Sequence, residues 1–282
     1  MSNRMNLVCP EWQGGRYPEV HRGALWLAEA LFARRGYVTI DAPPAQAGEV
    51  ESTASENGVY ALPVLATRFA RTMEVLTRAR PERLFTVAGT CAGAAAPIAW
   101  LNARYAGKLA VLWFDAHGDL NTPESSPSGA FTGMVLRTLL GEGPAPFLAR
   151  LTRPLCPEQI CLIGVRDLDP GEADYLANHP LRCYPELGAS AIDALLADLA
   201  ASGCTHVYVH LDVDVFSPGS FAEDLKAVPG GPGMADVLAC LRAVAAAYPV
   251  AGVGVCEYRG KTHASRMQLH ALLADSGLLP PF

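Results

Sequence analysis

Ala110-Val-Leu-Trp-Phe114, running straight into Asp115-Ala-His117-Gly-Asp119, is the stretch on which the reading of this chain turns. Five apolar residues in succession, with no polar alternation, describe a strand covered on both faces, as in the parallel sheets of α/β proteins. Such a strand ends where ligands bind in open α/β sheets, beyond the carboxyl end. Here it ends on three potential metal ligands within five residues. Carboxylates with a neutral imidazole suit a borderline-hard divalent ion; the plainer alternative is a solvated polar cap on a strand-to-loop turn.

Outward from that strand the same pattern repeats. Strands are expected at Asn6–Cys9, Tyr37–Ile40, Leu84–Val87, Ala110–Phe114, Ile160–Ile163, Arg182–Tyr184, Val207–Val213 and Ala251–Val255. Helices are expected at His21–Arg35, Pro63–Arg80, Gly93–Tyr105, Ser190–Ala201 and Met234–Tyr248, with Pro63 suited to a first helical turn. Alternation of this kind implies one parallel sheet between helices. The Pro- and Gly-rich stretches Gly141–Pro146 and Val228–Gly233 read as loops rather than boundaries, so residues 1–282 are expected to form a single domain.

Composition narrows the classes of function. Half of the 282 residues are hydrophobic, 18% are charged and the net charge is −6, with Lys and Arg scattered. That balance is core-rich and disfavours a nucleic-acid or anionic-membrane partner. The opening residues contain no apolar signal core, and no apolar run reaches the ~18 residues of a membrane span, so a cytoplasmic location is expected. The eight cysteines are irregularly spaced, with no Cys-x-x-Cys pair, and are expected to be reduced thiols.

A second segment strengthens the metal reading. His210-Leu-Asp212-Val-Asp214 follows the strand Val207–Val209, and a two-residue period projects His210, Asp212 and Asp214 to one side. Carboxylates held that close repel unless a cation neutralises them. As caps of the following loop they would need no metal.

Taken together, these segments resemble the arginase–agmatinase (ureohydrolase) family, from about Phe85 to Glu257. Phe114–Thr138 and Ile163–Glu172 resemble its arginases more than its agmatinases. The resemblance implies a three-layer αβα fold with a mostly parallel, about eight-stranded sheet and two divalent ions, manganese in the family. It implies that Asp115 and Asp212 bridge both ions, that Asp119 completes the first site, and that His117 and Asp214 complete the second. Glu257 would face the substrate guanidinium, and the catalytic assignment falls on Asp119 and Glu257. Asn121, Ser126 and Ser128 would take the substrate α-carboxylate and Asp169 its α-amino group. A small guanidino amino acid is thus the expected substrate. Taken singly, Asn and Ser are common in loops, and Asp169-Pro-Gly also reads as a turn.

Three positions depart from the family. Cys91 in Gly89-Thr-Cys91 replaces a histidine of the first metal site, Thr132 replaces a histidine assigned to proton shuttling, and Ser217-Pro218 replaces Asp-Pro. A thiolate is a softer ligand than imidazole, and a lost general acid costs roughly 100- to 10,000-fold where the leaving group needs a proton. The Cys-for-His exchange resembles a branch of the family that hydrolyses N-hydroxy-L-arginine to L-ornithine and hydroxyurea in D-cycloserine biosynthesis. Other readings are an ordinary arginase in which His263 or another group replaces the missing histidine, a non-catalytic ureohydrolase-like binding protein, and a metal-free enzyme with Cys91 as nucleophile.

Overall fold

In a computed structural model, which describes residues 3–32, 34–40, 53–221 and 228–279, the expected apolar runs become one sheet. Its strands are β1 (Arg4–Cys9), β2 (Val38–Thr39), β3 (Arg83–Ala88), β4 (Leu109–Phe114), β5 (Ile160–Ile163), β6 (Arg182–Tyr184), β7 (His206–Asp212) and β8 (Val250–Cys256). They lie in the order β2-β1-β3-β8-β7-β4-β5-β6, and every pairing is parallel. The helices are α1 (Glu19–Phe32), α2 (Leu62–Ala79), α3 (Ala95–Arg104), α4 (Val135–Leu139), α5 (Ala145–Leu148), α6 (Pro170–Asn178), α7 (Ala189–Ala201), α8 (Met234–Ala247) and α9 (His263–Asp275). A separate two-stranded hairpin pairs Ser55–Glu56 with Val59–Tyr60.

Side-chain alternation on β4 divides the core into two. Leu109, Val111 and Trp113 pack toward residues of α2 to α6, such as Leu65, Ile98, Leu136, Phe147 and Tyr175. Ala110, Leu112 and Phe114 pack toward α1, α7, α8 and α9 through Leu27, Leu195, Leu241 and Leu269. The result is helix, sheet, helix. All six β4 side chains are buried, and each large one contributes about 1.5–3 kcal/mol relative to exposure. Among the described residues, no helix is long and apolar enough to cross a membrane.

Strand order explains where the polar residues collect. The chain passes from β3 to β4 and leaves a gap that the last two strands, β7 and β8, fill. Their register sets Cys256 beside Asp212 and, one step short of the strand ends, Phe114 beside Leu211. The carboxyl ends of β3, β8, β7 and β4 therefore form a row in the middle of the sheet.

Several expected bounds shift for physical reasons. The helix expected from Gly93 begins at Ala95, because Cys91–Ala94 form a tighter 3₁₀ turn capped by Thr90, whose hydroxyl accepts from the Ala92 N–H. Asp169-Pro-Gly is the start of α6 and not merely a turn: Asp169 is the N-cap and Pro170 the first helical residue. Helix α5 begins within the stretch expected to be a loop at Gly141–Pro146. Helix α1 is described to Phe32 rather than Arg35, and Ala33 lies outside the described residues. Asp214 is reached not along the strand but through a 3₁₀ turn, Val213–Val215.

Candidate functional site

Each strand end in the central row delivers its residues through a short, hydrogen-bonded turn. After β4, the His117 N–H donates to Asp115 Oδ1 at 2.7 Å and the Trp113 indole N–H donates to Asp115 Oδ2 at 3.1 Å, so both oxygens of this buried carboxyl are fixed. After β7, Asp212 caps the 3₁₀ turn by accepting from the Asp214 N–H at 2.8 Å. Asp214 in turn accepts from the Ala116 N–H at 3.0 Å, which joins the two turns across the sheet. His117 Nδ1 lies 3.0 Å from Asp214 Oδ2 and 3.3 Å from Asp115 Oδ1.

Among the described residues, three groups of potential ligand atoms that include carboxylates result, each within 4.8 Å: Asp115, His117 and Asp214; Cys91, Asp115 and Asp119; and Cys91, Asp212 and Glu257. Asp115 belongs to two of them and Cys91 to two. Cys91 is almost fully buried, with Sγ 3.2 Å from Asp212 Oδ2 and 3.9 Å from Asp115 Oδ2.

The charges in this cluster are under strain. Burial, then repulsion from Asp214, pushes Asp115 up to about 7. Burial likewise drives Asp119, Asp212 and the Cys91 thiol well above their ordinary values, and Glu257 up to about 8. For His117 burial acts downward, but the hydrogen bonds to Asp115 and Asp214 outweigh it and carry the imidazole up to about 11. The same contact holds Asp214 below its usual range despite burial. A proton on His117 thus occupies the position where a cation would neutralise both carboxylates. Asp119 Oδ2 is buried with no hydrogen-bond partner among the described residues. Crowded carboxyls and an orphaned acceptor fit divalent cations, with His117 then neutral.

Two of these residues also have unusual backbone geometry. Asp119 (φ 53°) and Glu257 (φ 60°) both adopt the left-handed conformation, which Asp tolerates but which is unusual for Glu. Glu257 is held by its N–H donating to Gly89 O at 3.0 Å, and the Asp119 carbonyl accepts from the Leu136 and Arg137 N–H groups.

In front of the cluster lies a cleft of about 490 Å³, lined by Cys91, His117, Asp119, Asp212, Asp214 and Glu257 on its inner side, with Asp115 just behind. Asn121, Ser126, Ser128 and Asp169 line it farther out. Asn121 is buried, with Nδ2 donating to Asp169 Oδ2 and Oδ1 accepting from Ser125 Oγ, both at 2.9 Å. Ser126 and Ser128 accept from the Gly129 and Ala130 N–H groups and lie 3.4 Å apart. All eleven site residues read from the sequence therefore meet in one place.

Other residues here escaped the sequence reading. Glu172 buries its carboxylate against the Leu120 and Asp169 N–H groups, both at 2.9 Å, and so ties the ligand loop to α6. Its signal was the Asp-x-x-Glu spacing of a capping box. Glu11 accepts from both the N–H and the hydroxyl of Thr90, which anchors the Cys91 turn to the loop after β1. Gly15, Arg16 and Tyr17 from that loop also line the cleft, and no spacing pointed to them. Thr132 is tied at both sides: its hydroxyl donates to Glu257 Oε1 at 3.0 Å and accepts from the Cys91 N–H at 3.3 Å. His263, by contrast, starts α9 on the surface beside Arg266 and is not among the cleft residues.

Residues 48–274 match the family model described as the arginase family. The chain belongs to the arginase family. The arginase of Staphylococcus aureus (strain COL) is 40% identical over 121 residues, 41% of this chain and 40% of that protein. The N(omega)-hydroxy-L-arginine amidinohydrolase of Streptomyces lavendulae is 33% identical over 172 residues, 61% of this chain and 59% of that protein. The matched stretch thus spans about two fifths of the staphylococcal arginase. Similarity of fold extends farther: the crystal structure of Entamoeba histolytica arginase in complex with L-ornithine superposes with a TM-score of 0.84 at 18% identity, covering 98% of this chain and 99% of that one. An arginase structure from Bacillus subtilis superposes with a TM-score of 0.77 at 24% identity and full coverage of both chains. The chain thus has the αβα sheet sandwich of these arginase structures and, in its cleft, clustered residues that could hold metal ions.

Proposed function

We propose that residues 1–282 form one catalytic domain, a dinuclear-metal amidinohydrolase acting on an arginine-type amino acid, with N-hydroxy-L-arginine preferred and L-ornithine and hydroxyurea as products. The observation that carries the reading is the convergence in one cleft of three ligand groups, a buried Glu257 and the outer polar set at Asn121 and Asp169. Cys91, Asp115, Asp119 and Asp212 would hold one ion; Asp115, His117, Asp212 and Asp214 would hold the other, manganese being the expected metal. Such a pair supplies a water nucleophile at neutral pH and Lewis-acid polarisation of the substrate.

The protein's own share is positioning and proton handling. Glu257 faces the guanidine group, oriented by the Thr132 hydroxyl. Asp119 Oδ2, buried and without a partner, is the atom suited to take a proton from the attacking water. Asn121, Ser126, Ser128 and Asp169 anchor the amino-acid end. Water adds to the guanidine carbon, the bond to the side-chain nitrogen breaks, and a proton passes to the departing ornithine amine.

Thr132 favours the hydroxylated substrate. Locked between Glu257 and the Cys91 turn, it orients rather than shuttles. An N-hydroxyguanidine is much less basic than arginine, whose pKa exceeds ~12, so more of it is neutral and open to attack without a dedicated imidazole. The 33% identity to the Streptomyces lavendulae amidinohydrolase supports the same preference. An ordinary arginase is the second reading, favoured by the 40% identity to the staphylococcal enzyme. The test is turnover of L-arginine, N-hydroxy-L-arginine and agmatine by manganese-loaded protein under identical conditions. The highest kcat/KM is expected for N-hydroxy-L-arginine; a higher value for L-arginine overturns the preference, and turnover of none of the three overturns the activity.

A further inference from the structure

Behind the carboxylate cluster lies a group of a different chemical kind. Cys256, the last residue of β8, places Sγ 3.4 Å from Cys91 Sγ and 3.5 Å from His210 Nε2. Both thiols are free, all three residues are buried, and their ligand atoms lie within 4.8 Å of one another. The sequence reading had set His210 in line with Asp212 and Asp214. In the fold it keeps the side it shares with Asp212 but lies buried below the strand end, its ring stacked on Trp113 with centroids 3.5 Å apart, and its Nδ1 has no hydrogen-bond partner among the described residues.

These distances are those of a coordination site. Two sulfurs and one imidazole around a tetrahedral zinc-class ion, with bonds of ~2.3 and ~2.0 Å, lie about 3.8 Å and 3.5 Å apart. A fourth donor is at hand: Asp212 Oδ2 is 3.2 Å from Cys91 Sγ and 4.0 Å from Cys256 Sγ. The stack on Trp113 fixes the ring, so the imidazole approaches with little ordering left to do. Cys91 and Asp212 also line the cleft, which gives an ion a way in.

We propose that Cys91, Cys256 and His210 form a second, soft-donor cation site beneath the carboxylate cluster, selective for thiophilic ions of the zinc and cadmium class. Two thiolates and an imidazole select such ions over manganese, which prefers oxygen. Cys91 is common to this site and to the proposed first catalytic site, so the inference rests on that reading only in taking Cys91 as a ligand. A soft ion bound here competes with the carboxylates for the same sulfur.

Cadmium NMR of the metal-stripped full chain loaded with Cd²⁺ alone tests this, because the resonance moves downfield with each sulfur ligand. The wild type is expected to give one resonance at the two-sulfur position and another at a sulfur-free position, from Asp115, His117 and Asp214. Cys256→Ser should move the first to the one-sulfur position, and His210→Gln should weaken Cd²⁺ binding there by about tenfold or more. The sulfur-free resonance persists in both variants if they fold. A wild-type spectrum with a one-sulfur resonance beside the sulfur-free one, the former unchanged by Cys256→Ser, overturns the second site and leaves the catalytic reading intact. A two-sulfur resonance without the sulfur-free one does the reverse.

Discussion

At the scale of single residues, Thr132 shows how a substitution that removes one chemistry can supply another. Its hydroxyl cannot move protons as an imidazole does, yet it connects Glu257 to the Cys91 turn. Leaving the buried Glu257 oxygen without that partner costs about 1–3 kcal/mol. Thr132→Val should therefore lower kcat/KM for N-hydroxy-L-arginine by roughly 10- to 100-fold, with metal content unchanged. Steady-state kinetics beside elemental analysis checks both halves of that statement. Asn121→Ala should raise KM for the α-amino acid by an amount equivalent to about 1.5–3 kcal/mol, with kcat less affected. Equal turnover of agmatine and the amino acid by the wild type would remove the basis for that assignment. That the candidate ligand residues would gather in one place was legible in the sequence, because dense carboxylates after two apolar strands point to the same end of one sheet. Glu11, Thr132 and Cys256 were not read as partners, since their roles depend on contacts between segments far apart in the chain. His210 was visible and strand period gave its side; only the neighbouring Trp113 and Cys256 gave its partners.

Among elements, β7 and β8 decide the site, since they arrive last and separate β3 from β4. Their close packing has a specific requirement. A Cβ on Gly252 would lie 2.4 Å from Tyr208 Cδ2 and 2.8 Å from Leu101 Cδ1, and both of those side chains are buried. Neither can retreat freely, so Gly252→Ala should destabilise the protein by about 1–3 kcal/mol, read as a lower denaturation midpoint at unchanged slope. An unaltered midpoint would mean that the strands can shift to make room. The strands themselves were the most legible elements, with Ile160–Ile163 and Arg182–Tyr184 matching at both ends. Helix α6 was hidden because Asp-Pro-Gly fits a turn and an N-terminal cap equally well. The last two residues of the Cys91 turn, Gly93 and Ala94, were absorbed into a helix because apolar Ala-rich sequence carries no sign of where 3₁₀ geometry gives way to α.

For the whole molecule, the buried carboxyls predict how the metal-stripped protein responds to pH. Burial raises Glu11 to about 7, Asp115 to about 7 and Glu257 to about 8. Each holds its proton more tightly folded than unfolded, so the stability it contributes is complete below the ordinary carboxylate range and is lost as pH rises through the folded value. His117, raised to about 11, acts in the same direction at higher pH. Asp214, held low, contributes stability that is lost only at acid pH. The melting temperature of the stripped protein should therefore fall between about pH 4.5 and 8. For Glu11 alone, the gap between 4.5 and about 7 is worth about 3 kcal/mol, and Glu11→Gln should remove that part of the slope. Bound divalent ions should flatten most of the remainder by neutralising the cluster. A stripped protein whose melting temperature rose over this range would contradict the charge arrangement.

The proposed activity depends on the carboxylate cluster being a two-ion centre, and counting ions tests that most directly. Elemental analysis of manganese-loaded wild type and of Asp212→Ala, with turnover of N-hydroxy-L-arginine measured on the same samples, gives the count and its consequence together. About two ions per chain in the wild type are expected, with loss of both manganese and turnover in Asp212→Ala. A wild-type chain that remained fully active with no bound metal would contradict the account.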